Sequence, residues 1–174
     1  MQIIKIVTGA SDENCYVLKK NNSCLVIDPG DDYPVIKEKI GDCKVLAVLI
    51  THSHFDHIGA LRNFLTKRST KIFKKSSLEE KEYEIGDFCF QCIYTPGHSA
   101  DSVSFYFKET NDLFVGDFIF RDSIGRCDLP TGSQTSMNES IEKIKKYDKE
   151  IKIYPGHGDT TTLGYEIINN PYFK

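Results

Sequence analysis

Short apolar runs, many of them β-branched, recur along the chain, and each is closed by a polar or glycine cluster. Runs of that length and composition read as strands. The pattern predicts strands at about residues 2–8, 14–20, 23–27, 45–50, 71–74, 88–94, 102–108, 112–116 and 151–154. Helical spacing is rarer. "DYPVIKEKIG" places Asp32 at an N-cap, Pro34 in the first turn and Gly41 as a stop. "DHIGALRNFLTKR" sets Ile58, Leu61 and Leu65 on one helical face, "SMNESIEKIKKYDKE" predicts a third helix, and "DTTTLGYEIINN" predicts a short last one. Neither tandem repeat nor low-complexity tract nor linker interrupts the chain. Strands dominate both halves with helices set between them, which predicts sheets packed face to face with helices outside, a layered α/β or α+β domain.

Composition narrows this picture. With 174 residues and 40% apolar content, the chain fills one core well and is short for two, so a single domain over residues 1–174 is expected. A net charge of −3 and a pI near 6.0 leave no broad basic field, so a nucleic-acid partner gains no support. The lysine-rich "IEKIKKYDKEIK" carries Ile141, Ile144 and Ile151 at helix-like intervals and reads as a solvated amphipathic helix, and "TKRSTKIFKK" reads as surface loop and short strand. The opening "MQIIKIVTGA" lacks the apolar stretch and cleavage site of an export signal, and no run reaches the roughly eighteen apolar residues of a membrane span. A cytosolic protein with six reduced cysteines and no membrane partner is therefore expected. Cys89 and Cys92 form a C-x-x-C, but within the strand-like "DFCFQCIYTPG" residues three apart face opposite ways, so these are packing cysteines and share no metal.

The chemistry lies just past the strands. Asp28 follows Leu25–Ile27, "THSHFDH" follows "KVLAVLI", His98 follows "CIY", Asp117 follows "DLFV" and His157 follows "IKIY". All five histidines thus fall beyond predicted strand ends, where binding groups converge on a rigid scaffold. His52 and His54 are two apart, so in an extended segment both imidazoles project to one side and grip one cation. Asp56 and His57 follow where the chain turns into a helix, and they diverge toward a second ion. Asp117 offers two oxygens and can bridge. Imidazoles with a hard carboxylate suit zinc, iron or manganese, and the ligand set alone does not choose among them.

At these residues the sequence resembles the metallo-β-lactamase superfamily and, more narrowly, the glyoxalase II group of hydroxyacylglutathione hydrolases, in a compact form. The resemblance runs through "NCYVL", "VIDPG", "THSHFDHIGAL", "TPGHSADS", "VGDFIF", "GRCDLPTGS", "YPGHGDTTTLGYE" and "NNPYF". It implies an α+β fold, a four-layer αββα sandwich with a dinuclear site along one edge. It implies that His52, His54 and His98 hold one metal, that Asp56, His57 and His157 hold the other, and that Asp117 bridges them. Asp28 matches a position that orients a ligand histidine. Arg126 of "GRCDLPTG" stands where the family places a basic residue against the glutathione backbone. Its alternative is an internal salt bridge to Asp128.

The resemblance implies two divalent cations, zinc foremost, with iron or manganese as alternatives. Such ions lower the pKa of a bound water toward neutrality, so a nucleophile for a carbonyl exists at pH 7 without a nearby protein base. Asp56 also serves to hold that water in line. A thiolate leaving group, with a pKa of about 8.5, needs little protonation to depart. The expected function is hydrolysis of a small-molecule thioester, S-D-lactoylglutathione or a related S-acyl thiol. The rivals are a mononuclear-iron persulfide dioxygenase, a lactonase or β-lactamase, an RNA-processing nuclease and a non-catalytic metal-binding module.

Overall fold

The computed structural model describes residues 1–65 and 70–174. The first half contributes β1 (Gln2–Thr8), β2 (Glu13–Lys20), β3 (Ser23–Ile27), α1 (Tyr33–Ile40), β4 (Lys44–Leu49), the single turn α2 (Phe55–Ile58) and β5 (Lys71–Phe73). Its strands form one five-stranded sheet in the order 1-2-3-4-5. The second half contributes β6 (Glu82–Ile85), β7 (Phe88–Tyr94), β8 (Val103–Phe107), β9 (Asp112–Gly116), a hairpin of β10 (Ile119–Phe120) and β11 (Ser123–Ile124), then α3 (Gln134–Ile144), β12 (Lys152–Pro155), β13 (Thr161–Thr162) and α4 (Leu163–Asn169). Apart from the hairpin, these strands form a six-stranded sheet in the order 13-12-9-8-7-6.

Alternation along each strand divides the core into layers, because successive side chains leave opposite faces. Tyr16, Leu18, Leu25, Ile27 and Leu49 of the first sheet meet Phe88, Phe90, Cys92, Phe105 and Phe114 of the second in one cluster between the sheets. The alternate residues Cys15, Val17, Cys24, Val26 and Val48 face outward under Ile36, Ile40 and Phe64. On the far side, Leu113, Val115 and Ile153 pack against Met137, Ile141 and Ile144 of α3 and Leu163 of α4. The result is the expected αββα sandwich. Cys92 packs in the inter-sheet layer as expected, whereas Cys89, on the opposite face of β7, is exposed and is not a packing cysteine; all six cysteines are free thiols. No helix among the described residues is long and apolar enough to cross a membrane.

Strand direction places the site. β3 and β4 are parallel, so Asp28 and the segment after Leu49 leave the first sheet at the same edge. β12 is parallel to β9, and β7 and β9 are both antiparallel to β8, so all three also end at one edge. The two edges are joined: Val103 N donates to Thr51 O at 2.9 Å and Asn14 N donates to Gly156 O at 2.7 Å.

All nine expected strands are present with ends within a residue of prediction, while four short ones, β6, β10, β11 and β13, were not anticipated. Two-residue strands carry no measurable period, and the "EYEI" of β6 puts charges on an edge. The helices depart further. The helix predicted from "DHIGALRNFLTKR" is one α turn followed by a 3-10 turn at Leu61–Asn63, Leu65 is exposed, and residues 66–69 of that prediction and of "TKRSTKIFKK" lie outside the described residues. The cause is a competing partner: Ala60 N donates to the carbonyls of Pro29 and Gly30, which turns the chain off its helical path. Helix α3 starts earlier than expected, capped by the Ser133 hydroxyl on Ser136 N, and stops at Ile144. Ile151 is therefore not on its face; it reaches the same apolar cluster from the approach to β12. Asp32 sits at the N-cap of α1 in the left-handed region, but its carboxylate accepts from Gly9 N at 2.9 Å rather than from the helix.

Candidate metal centre

The residues predicted from the strand ends converge on the shared edge. His54 Nδ1 lies 3.1 Å from His52 Nε2 and 2.8 Å from His98 Nε2, three nitrogens around one point. Beside them, His157 Nε2 lies 3.3 Å from Asp56 Oδ2, and His57 Nε2 lies 3.9 Å from the same oxygen. Asp117 stands between the groups: its Oδ2 is 3.5 Å from His98 Nε2, and its Oδ1 is 3.3 Å from His57 Nε2 and 3.7 Å from His157 Nε2. Gly156 makes the approach possible, since a Cβ there would collide with Asp117 Oδ1 and His57 Cε1.

The other face of each ring decides which nitrogen is free. His98 Nδ1 donates to Arg126 O at 2.8 Å, and His157 Nδ1 donates to Ser11 O at 3.0 Å; a carbonyl only accepts, so the proton sits on Nδ1 in both. His57 Nδ1 donates to Asp28 Oδ2 at 3.0 Å. The Thr51 hydroxyl donates to Asp28 Oδ2 at 2.6 Å, which leaves its oxygen to accept from His52 Nδ1 at 3.1 Å. Four rings therefore turn Nε2 inward, and only His54 presents Nδ1. Anchoring the remote ring nitrogen is how proteins fix a metal-binding tautomer.

These inward atoms lack partners of their own. His57 Nε2 and Asp117 Oδ1 are buried with no hydrogen bond, a costly state that a divalent cation relieves. Burial, with His57, His98 and His54 close by, pushes the His52 pKa down to about 2, so that ring is neutral and its lone pair available. Burial opposes charge on His57 as well, but Asp117 and Asp28 outweigh it and raise its pKa well above the imidazole range. Burial likewise opposes ionisation of Asp117, yet His57, with His52 and His157 behind it, holds that carboxyl well below the carboxylate range. A centre that draws a proton onto one histidine and keeps a buried carboxylate ionised is built for positive charge. The donor set, imidazole and carboxylate, fits zinc, iron or manganese.

Asp28 is placed beneath the centre rather than in it. It is buried, takes Thr51 N at 2.8 Å on Oδ1, and spends Oδ2 on Thr51 and His57. Arg126 contributes its carbonyl to His98, while its guanidinium is committed to Asp128 through two bonds of 2.6 and 2.7 Å, the alternative weighed from the sequence. Sequence reasoning missed Thr51, the carbonyl of Ser11, and Glu13. Glu13 is fully buried, its Oε2 accepting from the Thr8 hydroxyl at 2.8 Å and its Oε1 lying 3.7 Å from His57 Nδ1. Burial, and then Asp28, pushes its pKa up to about 9, so at neutral pH it is an uncharged acid beside the orienting carboxylate.

A sandwich with this edge-mounted histidine and aspartate cluster defines a class: the chain belongs to the metallo-beta-lactamase superfamily, whose family profile matches residues 8–82 and 75–157. It is a metallo-hydrolase of a metal-dependent family. Among individual proteins, it is 31% identical to the probable metallo-hydrolase YqgX of Bacillus subtilis over 98% of this chain and 96% of that one. It is 28% identical to the hydroxyacylglutathione hydrolase GloC of Haemophilus influenzae, over 100% of this chain and 99% of the other. Of solved structures, BLEG-1 B3 metallo-beta-lactamase superposes with a TM-score of 0.94 at 31% identity, covering 99% of this chain and 100% of its own. TTHA1623 in a di-iron-bound form superposes with a TM-score of 0.86 at 30% identity, over 97% and 99%.

Proposed function

We propose that this protein is a metal-dependent thioester hydrolase acting on S-D-lactoylglutathione or a related S-acyl thiol. The observation that carries the reading is the division of Asp117, whose two oxygens face two separate sets of nitrogen ligands. In this reading His52, His54 and His98 hold one divalent cation, Asp56, His57 and His157 hold a second, and Asp117 spans both. Zinc is the proposed metal, with iron as the alternative that the di-iron form of TTHA1623 suggests. The hydroxyacylglutathione hydrolase of Haemophilus influenzae supports the substrate class. The free thiols fit a reducing, cytosolic setting.

With divalent cations bound, these residues would hold a site where a water is acidified and the substrate carbonyl polarised. The chain's own groups fix where this happens. Asp28, Thr51 and the carbonyls of Ser11 and Arg126 hold four imidazoles in one tautomer, so no reorganisation is needed at the moment of reaction. Asp56 is about one-third exposed with Oδ2 toward His157, and its carboxylate would hold the attacking water in line. A departing thiolate has a pKa of about 8.5, so the site needs no acid poised over the leaving group.

The test is hydrolysis of S-D-lactoylglutathione by purified protein before and after metal is stripped and then restored with zinc, iron or manganese. Turnover should vanish on stripping and return with one metal. His54→Ala and Asp117→Ala should each lower kcat/KM by at least about a thousandfold while the far-UV circular dichroism stays native. Near-native activity in either variant removes the dinuclear reading, and no turnover by fully loaded wild type removes the thioester.

A further inference from the structure

A cavity of about 330 Å³, lined in part by residues of the segment that follows His157, has no role in the chemistry above. Its lining includes Arg121, Lys152, Tyr154, Thr160, Thr162 and Tyr165. The volume falls within the range of small-molecule sites, roughly 300 to 1,000 Å³. Two segments tie it to the metal ligands. In the β10–β11 hairpin, the Phe120 ring lies 6.1 Å from the His157 imidazole, and Arg121 is the next residue. Thr160 is the third residue after His157, and three residues of chain span at most about 11 Å.

The charges around this cavity are only loosely engaged. The Lys152 ammonium makes neither ion pair nor hydrogen bond to any described residue, its backbone N alone donating to Asn111 O at 2.9 Å, and the Thr160 hydroxyl is also without a partner among them. Arg121 stacks its guanidinium over the Tyr165 ring at 4.9 Å, and its Nε is 3.9 Å from Asp122 Oδ2 in a loose, half-exposed pair. The Tyr165 hydroxyl holds that same Asp122 oxygen at 3.3 Å. The contrast with Arg126 is direct, for Arg126 is closed into a bidentate pair with Asp128. Tyr154, stacked on Phe114 with ring centroids 4.7 Å apart, gives the cavity an aromatic wall fixed by the core. Stacking on Tyr165 orients the Arg121 fork, and a planar fork that shares a cavity with the Lys152 ammonium and the Thr160 hydroxyl suits a carboxylate or phosphate oxygen.

We propose that the Arg121–Lys152 cavity binds the anionic end of the thiol carrier whose acyl group reacts at the metal centre. This rests on the thioesterase reading. The shared chemistry is an anion a short chain away from a thiol, which a peptide thiol provides as carboxylate and a pantetheine thiol as phosphate.

The experiment measures, by titration calorimetry on metal-loaded protein, the binding of two free thiol products, glutathione and coenzyme A, which cannot be hydrolysed. Arg121→Gln and Lys152→Gln should each weaken one of them several-fold, and the double variant should weaken it by about tenfold or more. Metal content and melting temperature should stay at wild-type values, which separates lost contacts from lost structure. Loss confined to glutathione identifies a carboxylate, and loss confined to coenzyme A a phosphate. Wild-type affinity in the double variant, or no binding of either thiol by wild type, overturns the proposal. A parallel assay follows hydrolysis of S-acetyl-N-acetylcysteamine by wild type, a thioester with no anionic group. Turnover there with unaffected thiol binding in the variants sinks the cavity alone, whereas no thioester turnover with weakened thiol binding sinks the reaction and leaves an anion site.

Discussion

Thr51 shows how one hydroxyl sets the state of a neighbour. It gives its proton to Asp28 and so can only accept from His52 Nδ1, which settles where the His52 lone pair points. Thr51→Val keeps the shape and removes that constraint. The expected outcome is a metal affinity about 10- to 100-fold weaker, as for other lost supports of a ligand, measured by competition with a chromogenic chelator. An unchanged affinity means that the ring is held by packing alone. The seven inward donors were legible in the sequence because histidine and aspartate announce metal chemistry by residue type. The atoms behind them were not. A backbone carbonyl such as that of Ser11 carries no residue signature, and Glu13 and Thr51 become partners of the histidines only once strands distant in sequence share an edge.

At the next scale, β2 couples the first sheet to the loop that carries His157. The Tyr16 hydroxyl donates to Pro155 O at 2.7 Å, and Asn14 Nδ2 donates to Pro155 O and Gly158 O at 3.0 and 2.9 Å. The "NCYVL" motif thus secures a ligand loop from the opposite sheet. Tyr16→Phe should cost about 0.5–1.5 kcal/mol in chemical denaturation, the range for one hydrogen bond whose acceptor keeps a second donor, here Asn14 Nδ2. A loss within experimental error indicates that Asn14 suffices to hold the loop. Strands were read well because alternation is intrinsic to them: Tyr16 and Leu18 enter one layer, Cys15 and Val17 the other. Helix ends were read poorly for a matching reason. The turn at Phe55–Ile58 has helical spacing beyond it, but Ala60 finds the Pro29 and Gly30 carbonyls, a tertiary bond that no local pattern encodes.

Across the whole molecule, both proposed metal positions draw donors from each sheet: His52 and His54 with His98, and Asp56 and His57 with His157. Bound cations would therefore cross-link the sandwich as well as catalyse. Binding only to the folded state at a free concentration about 100-fold above Kd adds about 2.7 kcal/mol. For a chain of this size, stripping the metal should lower Tm by about 5–10 °C, and a second addition should restore it. A Tm indifferent to chelation would mean that the edge is preformed and the ions add no stability.

The two sheets are also consecutive along the chain, the first complete by Phe73 and the second beginning at Glu82. During synthesis His52, His54, Asp56 and His57 leave the ribosome well before His98, Asp117 or His157 exists. A half-translated polypeptide would therefore hold half of each proposed coordination sphere and could not assemble the proposed centre. On the proposed reading the centre is complete only once the segment carrying His157 has emerged, so the order of translation would itself keep earlier, unfinished copies chemically silent.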